Sequence, residues 1–316
     1  MYYTHISPFV RLGNWFWAES RLWIIFTDAH FDVDIGYQCD IVGAMTSAQL
    51  ITYRGDPAFK AAFLAEIAKH EAADQIIKGT YGKINGEWKG CAIGCSLRSL
   101  NLLTGYPHNW QTSAHGRFPL ELGWPLWLVH LEDHLFERLP EVLAKTWPRR
   151  FAEAIPVGVH VPDVVMAKML RWILVDESYG VVTSITNSAA QEITRRIGQL
   201  FDRIITGEIV PQEEWDEAAR GAKAAWAEWA ARDGMAARDA RAEWGALDAM
   251  AATAAMAATA AMAARGMIIA WGVMVVRDTM NARAAWGSRD TRAKLATFSP
   301  ALSEELLTHL RALEAS

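Results

Sequence analysis

Apolar residues recur at helical spacing through most of the chain that follows residue 45. Phe59, Phe63 and Ile67 form one such stripe, and Ile193 and Ile197 belong to a second, longer one. A stripe of this period predicts an amphipathic helix with one buried face. Prolines and glycines stand at the ends of these segments and separate them. The predicted fold is all-α, a multi-helix bundle with helices at about 57–79, 91–103, 125–140, 141–152, 162–175, 184–206 and 299–316.

Two other segments complete the predicted fold. The sequence TYGKINGEWKG at 80–90 contains Asn85-Gly86, a pair favoured in tight turns, and predicts one small β-hairpin. From residue 212 alanine dominates, and AATAAM occurs twice in tandem at 251–262. Alanine is the strongest helix former and leaves a small surface, so this region predicts Ala-rich, closely packed C-terminal helices. A membrane span at 250–276 is the weaker interpretation, because Arg265 interrupts it.

Composition divides the chain into three parts. Residues 1–44 lack helical periodicity and end just before Met45, so we interpret them as an atypical leader, either an appendage or an over-called translation start. Residues 45–210 form the helical domain that carries the candidate functional residues. Residues 211–316 form an Ala- and Trp-rich helical region, which we expect to pack on that domain or to join subunits in an oligomer.

Charge and cysteine usage limit the classes of partner and compartment. The formal net charge is -5 and the pI is about 6.0, so the chain has no basic field for nucleic acid or an anionic membrane surface. Three cysteines in 316 residues do not make a disulfide framework, which favours a reducing compartment. We therefore expect a cytoplasmic protein whose partner is a small molecule or another protein.

Polar residues on the first two predicted helices lie where buried residues are expected. His70 and Asp74 are four residues apart and continue the apolar stripe of the first helix. On the second helix, Gly90 is the expected N-cap and Cys91 lies in the first turn, where the helix dipole favours a thiolate. Cys95 shares the face of Cys91. We expect all four side chains to face the interior.

The helix at 125–140 and the loop before it add one glutamate and three histidines. Glu132 falls on the apolar face of that helix, and His115 in the preceding loop is close enough to reach a site between the helices. His130 and His134 have the spacing of metal ligands, but they fall on a charged face and are interpreted as solvated.

Three functions fit these residues, and enzyme activity is left open. The preferred hypothesis is an acyl- or group-transfer enzyme with Cys91 as nucleophile, His70 as base, and Asp74 or Glu132 as the orienting acid. The second is a zinc or iron site whose ligands are Cys91, Cys95, His70 and His115. The third is a non-enzymatic interaction or accessory protein, in which the same residues only hold the helices together.

A series of spaced motifs resembles an uncharacterised family of bacterial and phage proteins. The motifs are HxxAD at 70–74, GCAxGC at 90–95, LGxP at 122–125 and LEDxxFExLP at 131–140. The resemblance covers roughly residues 46–175 and leaves the leader at 1–44 outside. It implies that the His, Asp, Cys and acidic positions belong to one conserved block, followed by Ala/Trp-rich helices. It implies no particular reaction.

Overall fold

A computed structural model describes residues 16–18, 21–23, 50–80, 82, 88–105, 115–185, 188–222, 224 and 289–315 of the chain. The chain divides into two units, residues 1–37 and 38–316. In the first, β1 (Phe16–Ala18) and β2 (Arg21–Trp23) pair antiparallel, with Trp17 opposite Leu22. Most residues of the hairpin predicted at 80–90, the Ala-rich residues 225–288 and the candidate span at 250–276 lie outside the described residues.

The second unit is all-α, which confirms the predicted fold class. Its described helices are α1 (Pro57–Ala72), α2 (Ala92–Thr104), α3 (Arg117–Leu122), α4 (Leu126–Arg138), α5 (Glu141–Ala154), α6 (Asp163–Val175), α7 (Ser188–Ile205), α8 (212–222) and α9 (Arg289–Arg311). Short 3-10 segments lie at Thr52–Gly55, Val181–Ser184 and Ala312–Ala315. No described helix is both long enough and apolar enough to cross a membrane.

Helix α1 begins as predicted but ends earlier. The Asp56 side chain accepts a hydrogen bond from the Ala58 N–H, and Pro57 occupies the first helical position. The helix ends at Ala72 and not near Gly79, because the chain that follows pairs with the segment before α2. In that pairing the Gly90 N–H donates to the Gln75 carbonyl and the Ile77 N–H donates to the Gly90 carbonyl, each at 2.9 Å.

Left-handed glycines end α2 and α3 and position the helices that carry the site. Gly105 follows α2 with φ 67° and Gly123 follows α3 with φ 65°, a conformation that glycine adopts at little cost. Gly123 is also enclosed, because a Cβ built there would lie 2.2 Å from the Ile51 carbonyl oxygen. The residues of α3 belong to the loop predicted at 104–124, so this six-residue helix was not expected from the sequence.

One core lies between α1, α2, α4 and α5 and continues into α6, α7, α8 and α9. Helix α1 packs on α2 and α5, α4 packs on α5, and α9 contacts α4, α5 and α6. Trp124 lies 5.2 Å from Phe151 in an edge-to-face arrangement that favours aromatic pairs. Where the structure describes the side chains of α9, the fully buried leucines are Leu302, Leu306, Leu307 and Leu310.

Candidate functional site

The N-terminus of α2 positions both cysteines in the interior. Cys91 is itself the N-cap, one residue later than predicted, and its Sγ accepts a hydrogen bond from the Gly94 N–H at 3.4 Å. The Cys95 thiol donates to the Gly90 carbonyl at 3.4 Å. The Cys91 N–H also donates to the Thr80 carbonyl, so the segment that follows α1 fixes the start of α2. Both thiols are free and buried, as expected.

Both thiols are held in the neutral form. Burial, followed by the negative charge of Asp133, raises the pKa of the Cys91 thiol well above its ordinary range. Burial and the charge of Glu132 raise the pKa of Cys95 to about 12. The Gly94 N–H at the helix N-terminus acts in the expected direction and favours a thiolate at Cys91, but desolvation and nearby acids outweigh it in the pKa of the thiol.

Two acids from α4 meet Cys91. One ligand atom from each of Cys91, Asp133 and Glu137 lies within 4.8 Å of the other two, and we call these three residues the thiol–carboxylate cluster. Asp133 and Glu137 are one helical turn apart, so they lie on the same face of α4. Cys91 is buried, Asp133 is half-buried and Glu137 is exposed. The cluster thus extends from the interior to the surface.

A main-chain hydrogen bond and a neighbouring charge shift the pKa of Glu137 in opposite directions. The Gly79 N–H donates to both carboxylate oxygens of Glu137 at 3.1 Å. Partial burial and the charge of Asp133 nevertheless raise the pKa of Glu137 above its ordinary value, although the bond from Gly79 opposes them. The Lys78 ammonium donates to the Leu139 carbonyl, which holds the segment after α1 against the end of α4.

His115 contacts the cluster from the side. Its Nε2 lies 3.2 Å from Asp133 Oδ2, and its ring stacks on His130 with ring centres 4.5 Å apart. The sequence predicted a solvated His130, but this residue is half-buried. Burial, together with the nearby His115, lowers the pKa of His130 to about 3. The uncharged His130 ring therefore lies against His115.

Glu132 faces the interior, as predicted. It is 3 % exposed, and its Oε2 has no hydrogen-bond partner among the described residues. Burial, with the charges of Asp133 and Glu137, raises the pKa of Glu132 well above its ordinary value. Burial therefore favours the neutral form of this carboxyl group, which lies beside the cluster but outside it.

His70 and Asp74 do not form the predicted pair. His70 is buried, its Nδ1 lies 2.7 Å from Gln75 Oε1, and its ring lies 4.8 Å from that of Trp88. Asp74 is exposed and binds Lys145 at 2.6 Å. The prediction that Asp74 faces inward is wrong because α1 ends before it and its φ is 51°, which turns the residue away from the helical stripe.

The structure brings together only part of the predicted set. Among the residues it describes, the one group of three or more that can hold a metal ion is the thiol–carboxylate cluster, so Cys95, His70 and His115 lie outside it. The predicted four-residue ligand set is therefore not formed around Cys91. Asp133 and Glu137 were not predicted as site residues, although their spacing and the LEDxxFExLP motif were available signals.

Neither a protein-family model, nor a curated protein, nor a solved structure matches this chain.

Proposed function

We propose that this protein binds a divalent transition-metal ion, zinc or iron, through Cys91, Asp133 and Glu137. The observation that carries the proposal is the convergence of three ligand atoms within 4.8 Å. Sulfur and carboxylate oxygen are ligands that both metals accept. The proposal keeps the metal hypothesis drawn from the sequence and retains Cys91, but the other three predicted ligands give way to Asp133 and Glu137.

Electrostatics support a cation at this position. Three acidic groups this close repel one another when charged, which is consistent with the raised pKa of Cys91 and of Glu137. A divalent cation reverses the effect, because it stabilises each anion and deprotonates a coordinating thiol. Without a metal, each group of the cluster therefore makes ionisation of the others less favourable. With a metal bound, the ionised forms of all three are stabilised.

The ligand set indicates a reactive metal and not only a structural one. Structural zinc sites usually have four protein ligands, whereas catalytic sites have three and leave a position for water or substrate. Glu137 is exposed, so solvent reaches one side of the cluster. When bound, the metal would supply Lewis-acid activation of a water molecule or a polar substrate. The Gly79 N–H would hold the Glu137 carboxylate in place.

The same proposal extends to cellular context. Two free buried thiols in one helical turn suit a reducing compartment, and we propose a cytoplasmic location. We also propose kinship with the bacterial and phage proteins that share the spaced motifs.

Metal content and metal titration test the proposal directly. Protein purified without a histidine tag should carry about one zinc or iron ion per chain by elemental analysis. Cobalt(II) added to metal-free protein should produce a thiolate-to-cobalt charge-transfer band. Asp133→Asn and Glu137→Gln should each weaken zinc affinity by more than about a hundredfold, the upper end of what loss of a residue around the ligands costs, and Cys91→Ser should abolish the band.

Cys95→Ser is the matched control, because Cys95 is a buried thiol on the same helix but outside the cluster. It should leave the cobalt band and the zinc affinity unchanged. The proposal fails if wild-type protein takes up neither ion, or if Cys95→Ser and not Cys91→Ser removes the band. In the first case the accessory-protein hypothesis is preferred.

A further inference from the structure

His115 and His130 form a stacked pair beside the thiol–carboxylate cluster. The His115 Nε2 is within hydrogen-bond distance of Asp133 Oδ2, at 3.2 Å. The two imidazole rings are 4.5 Å apart and inclined by 23°, so they overlap face to face. His130 and Asp133 belong to consecutive turns of α4, whereas His115 precedes α3. The contact between His115 and Asp133 therefore joins the segment before α3 to α4.

From this arrangement we infer that His115 is a positioning residue for the metal ligand Asp133, and that His130 keeps the His115 ring in orientation. The inference rests on the proposed metal function. The sequence analysis suggested His115 as a metal ligand, whereas here it contacts a ligand and orients it. His130, interpreted from the sequence as solvated, acquires a role through His115.

Hydrogen-bond geometry explains why this position matters. A metal ion needs only one carboxylate oxygen of Asp133, and an N–H donated by His115 to Oδ2 restricts the rotation of that carboxylate. Without that donor, Asp133 can adopt several orientations and must lose that freedom when the metal binds. A ring held flat against a second ring has few alternative orientations, so the stacked pair orders the donor in advance.

The side chains around the pair are consistent with this role. His130 is half-buried, and burial favours its uncharged form. An uncharged ring can lie against His115 without repelling it. Both oxygens of the other acid in the cluster accept the Gly79 N–H. Each carboxylate of the cluster thus has a donor that is not a metal ligand.

Paired substitutions test the N–H donor of His115 and its stacking on His130 separately. His115→Phe keeps an aromatic ring but removes the N–H, and should weaken zinc affinity about tenfold to a hundredfold. His115→Gln provides an N–H and should recover part of that loss. His130→Phe keeps the stack and should bind zinc like wild type, whereas His130→Ala should bind more weakly. Zinc affinity is measured by competition with a chelating dye.

The control is a second histidine–carboxylate pair on α9. His309 Nε2 lies 3.0 Å from Glu305 Oε1, and His309→Phe should leave zinc affinity unchanged. Thermal unfolding of each metal-free variant identifies any loss that results from misfolding. The cobalt spectrum of His115→Phe should keep its thiolate band, because the three ligands remain.

Different results overturn the two proposals. If wild-type protein binds zinc and His115→Phe binds it equally tightly, the positioning role is wrong and the metal site stands. If His115→Gln loses as much affinity as His115→Phe and the cobalt spectrum changes its band positions, His115 is a ligand and the positioning role is again wrong. If wild-type protein binds neither zinc nor cobalt, both proposals fail.

Discussion

Two opposing effects determine the pKa of the Cys91 thiol. The helix N-terminus and the Gly94 N–H favour a thiolate, an effect typically worth about 0.3–1 kcal/mol. Burial and the carboxylates of α4 oppose it and raise the pKa of Cys91. The second effect is larger, since the thiol is 2 % exposed and little water remains to solvate a charge. A raised pKa leaves less thiolate at Cys91, so we expect this thiol to react slowly in the metal-free protein.

Alkylation tests this conclusion. In metal-free native protein, Cys91 and Cys95 should react with iodoacetamide at least about tenfold more slowly than a free thiol, because only the thiolate reacts. Peptide mass spectrometry after timed quenching gives the rate at each position. Urea-unfolded protein is the control and should react at the free-thiol rate. Rapid native alkylation of Cys91 would restore the nucleophile hypothesis.

Glu132 makes stability depend on pH. Its pKa is raised in the folded state, so between the unfolded and folded pKa values the folded protein binds more protons. The free energy of unfolding therefore falls as pH rises through that interval, by about 1.4 kcal/mol per unit for one group. Glu132→Gln stays neutral, and its stability relative to wild type should increase from about pH 4 upward.

Thermal unfolding of both proteins in a chelator, across that pH range, measures the difference. Glu177→Gln, at an exposed position after α6, is the control for the loss of a surface carboxyl group. A constant offset between Glu132→Gln and wild type at every pH would contradict a raised pKa at this position.

At the scale of the elements, periodicity predicted buried faces well and helix ends less well. Phe63, Ile67 and Glu132 are buried on the faces that the sequence indicated. Asp74 is exposed because α1 ends where residues 75–77 begin to pair with Gly90, a non-local contact that a single helical pattern does not contain. The contact between Asp133 of α4 and Cys91 at the start of α2 is likewise a contact between two helices. Spacing within one helix identifies a face but not the helix that packs on it.

Two glycines give a matched test of one such contact. Gly105 and Gly123 have nearly the same φ, 67° and 65°, and both end helices. A Cβ at Gly105 meets nothing within 4 Å, whereas a Cβ at Gly123 meets the Ile51 backbone. Gly105→Ala should therefore cost only the left-handed conformation, about 1–2 kcal/mol.

Gly123→Ala should cost more than Gly105→Ala, because the chain at Ile51 must also move. Urea unfolding of the two variants, measured side by side, gives the difference in free energy. Equal losses at the two positions would mean that the approach of Gly123 to Ile51 contributes nothing.

For the whole molecule, α9 joins residues distant in sequence into one core. Its residues Leu302, Leu306, Leu307 and Leu310 are fully buried, and the helix contacts α4, α5 and α6. Arg150 of α5 binds Glu304 of α9 at 2.6 Å, an exposed pair that contributes little beside the burial of apolar surface. The sequence predicted a final amphipathic helix from residue 299. The observed helix begins at Arg289 and continues through Pro300.

Truncation of one leucine tests whether α9 belongs to the cooperative core. Leu306→Ala should lower the free energy of unfolding by about 2–5 kcal/mol, the cost of removing a buried side chain. Val142→Ala, at an 80 % exposed position on α5, should change it by less than about 0.5 kcal/mol. Circular dichroism and tryptophan fluorescence should follow the same urea transition. If only the helical signal changes for Leu306→Ala, α9 unfolds independently.

The position of α9 has a consequence for synthesis on the ribosome. The faces of α5 and α6 that it covers are translated more than a hundred residues before Leu306 emerges. Until then, those apolar faces have no native partner, and a nascent chain in that state is open to chaperones and to aggregation. Completion of the core must therefore follow translation of the last helix. Premature termination anywhere before residue 302 removes the fully buried Leu302, Leu306, Leu307 and Leu310 at once.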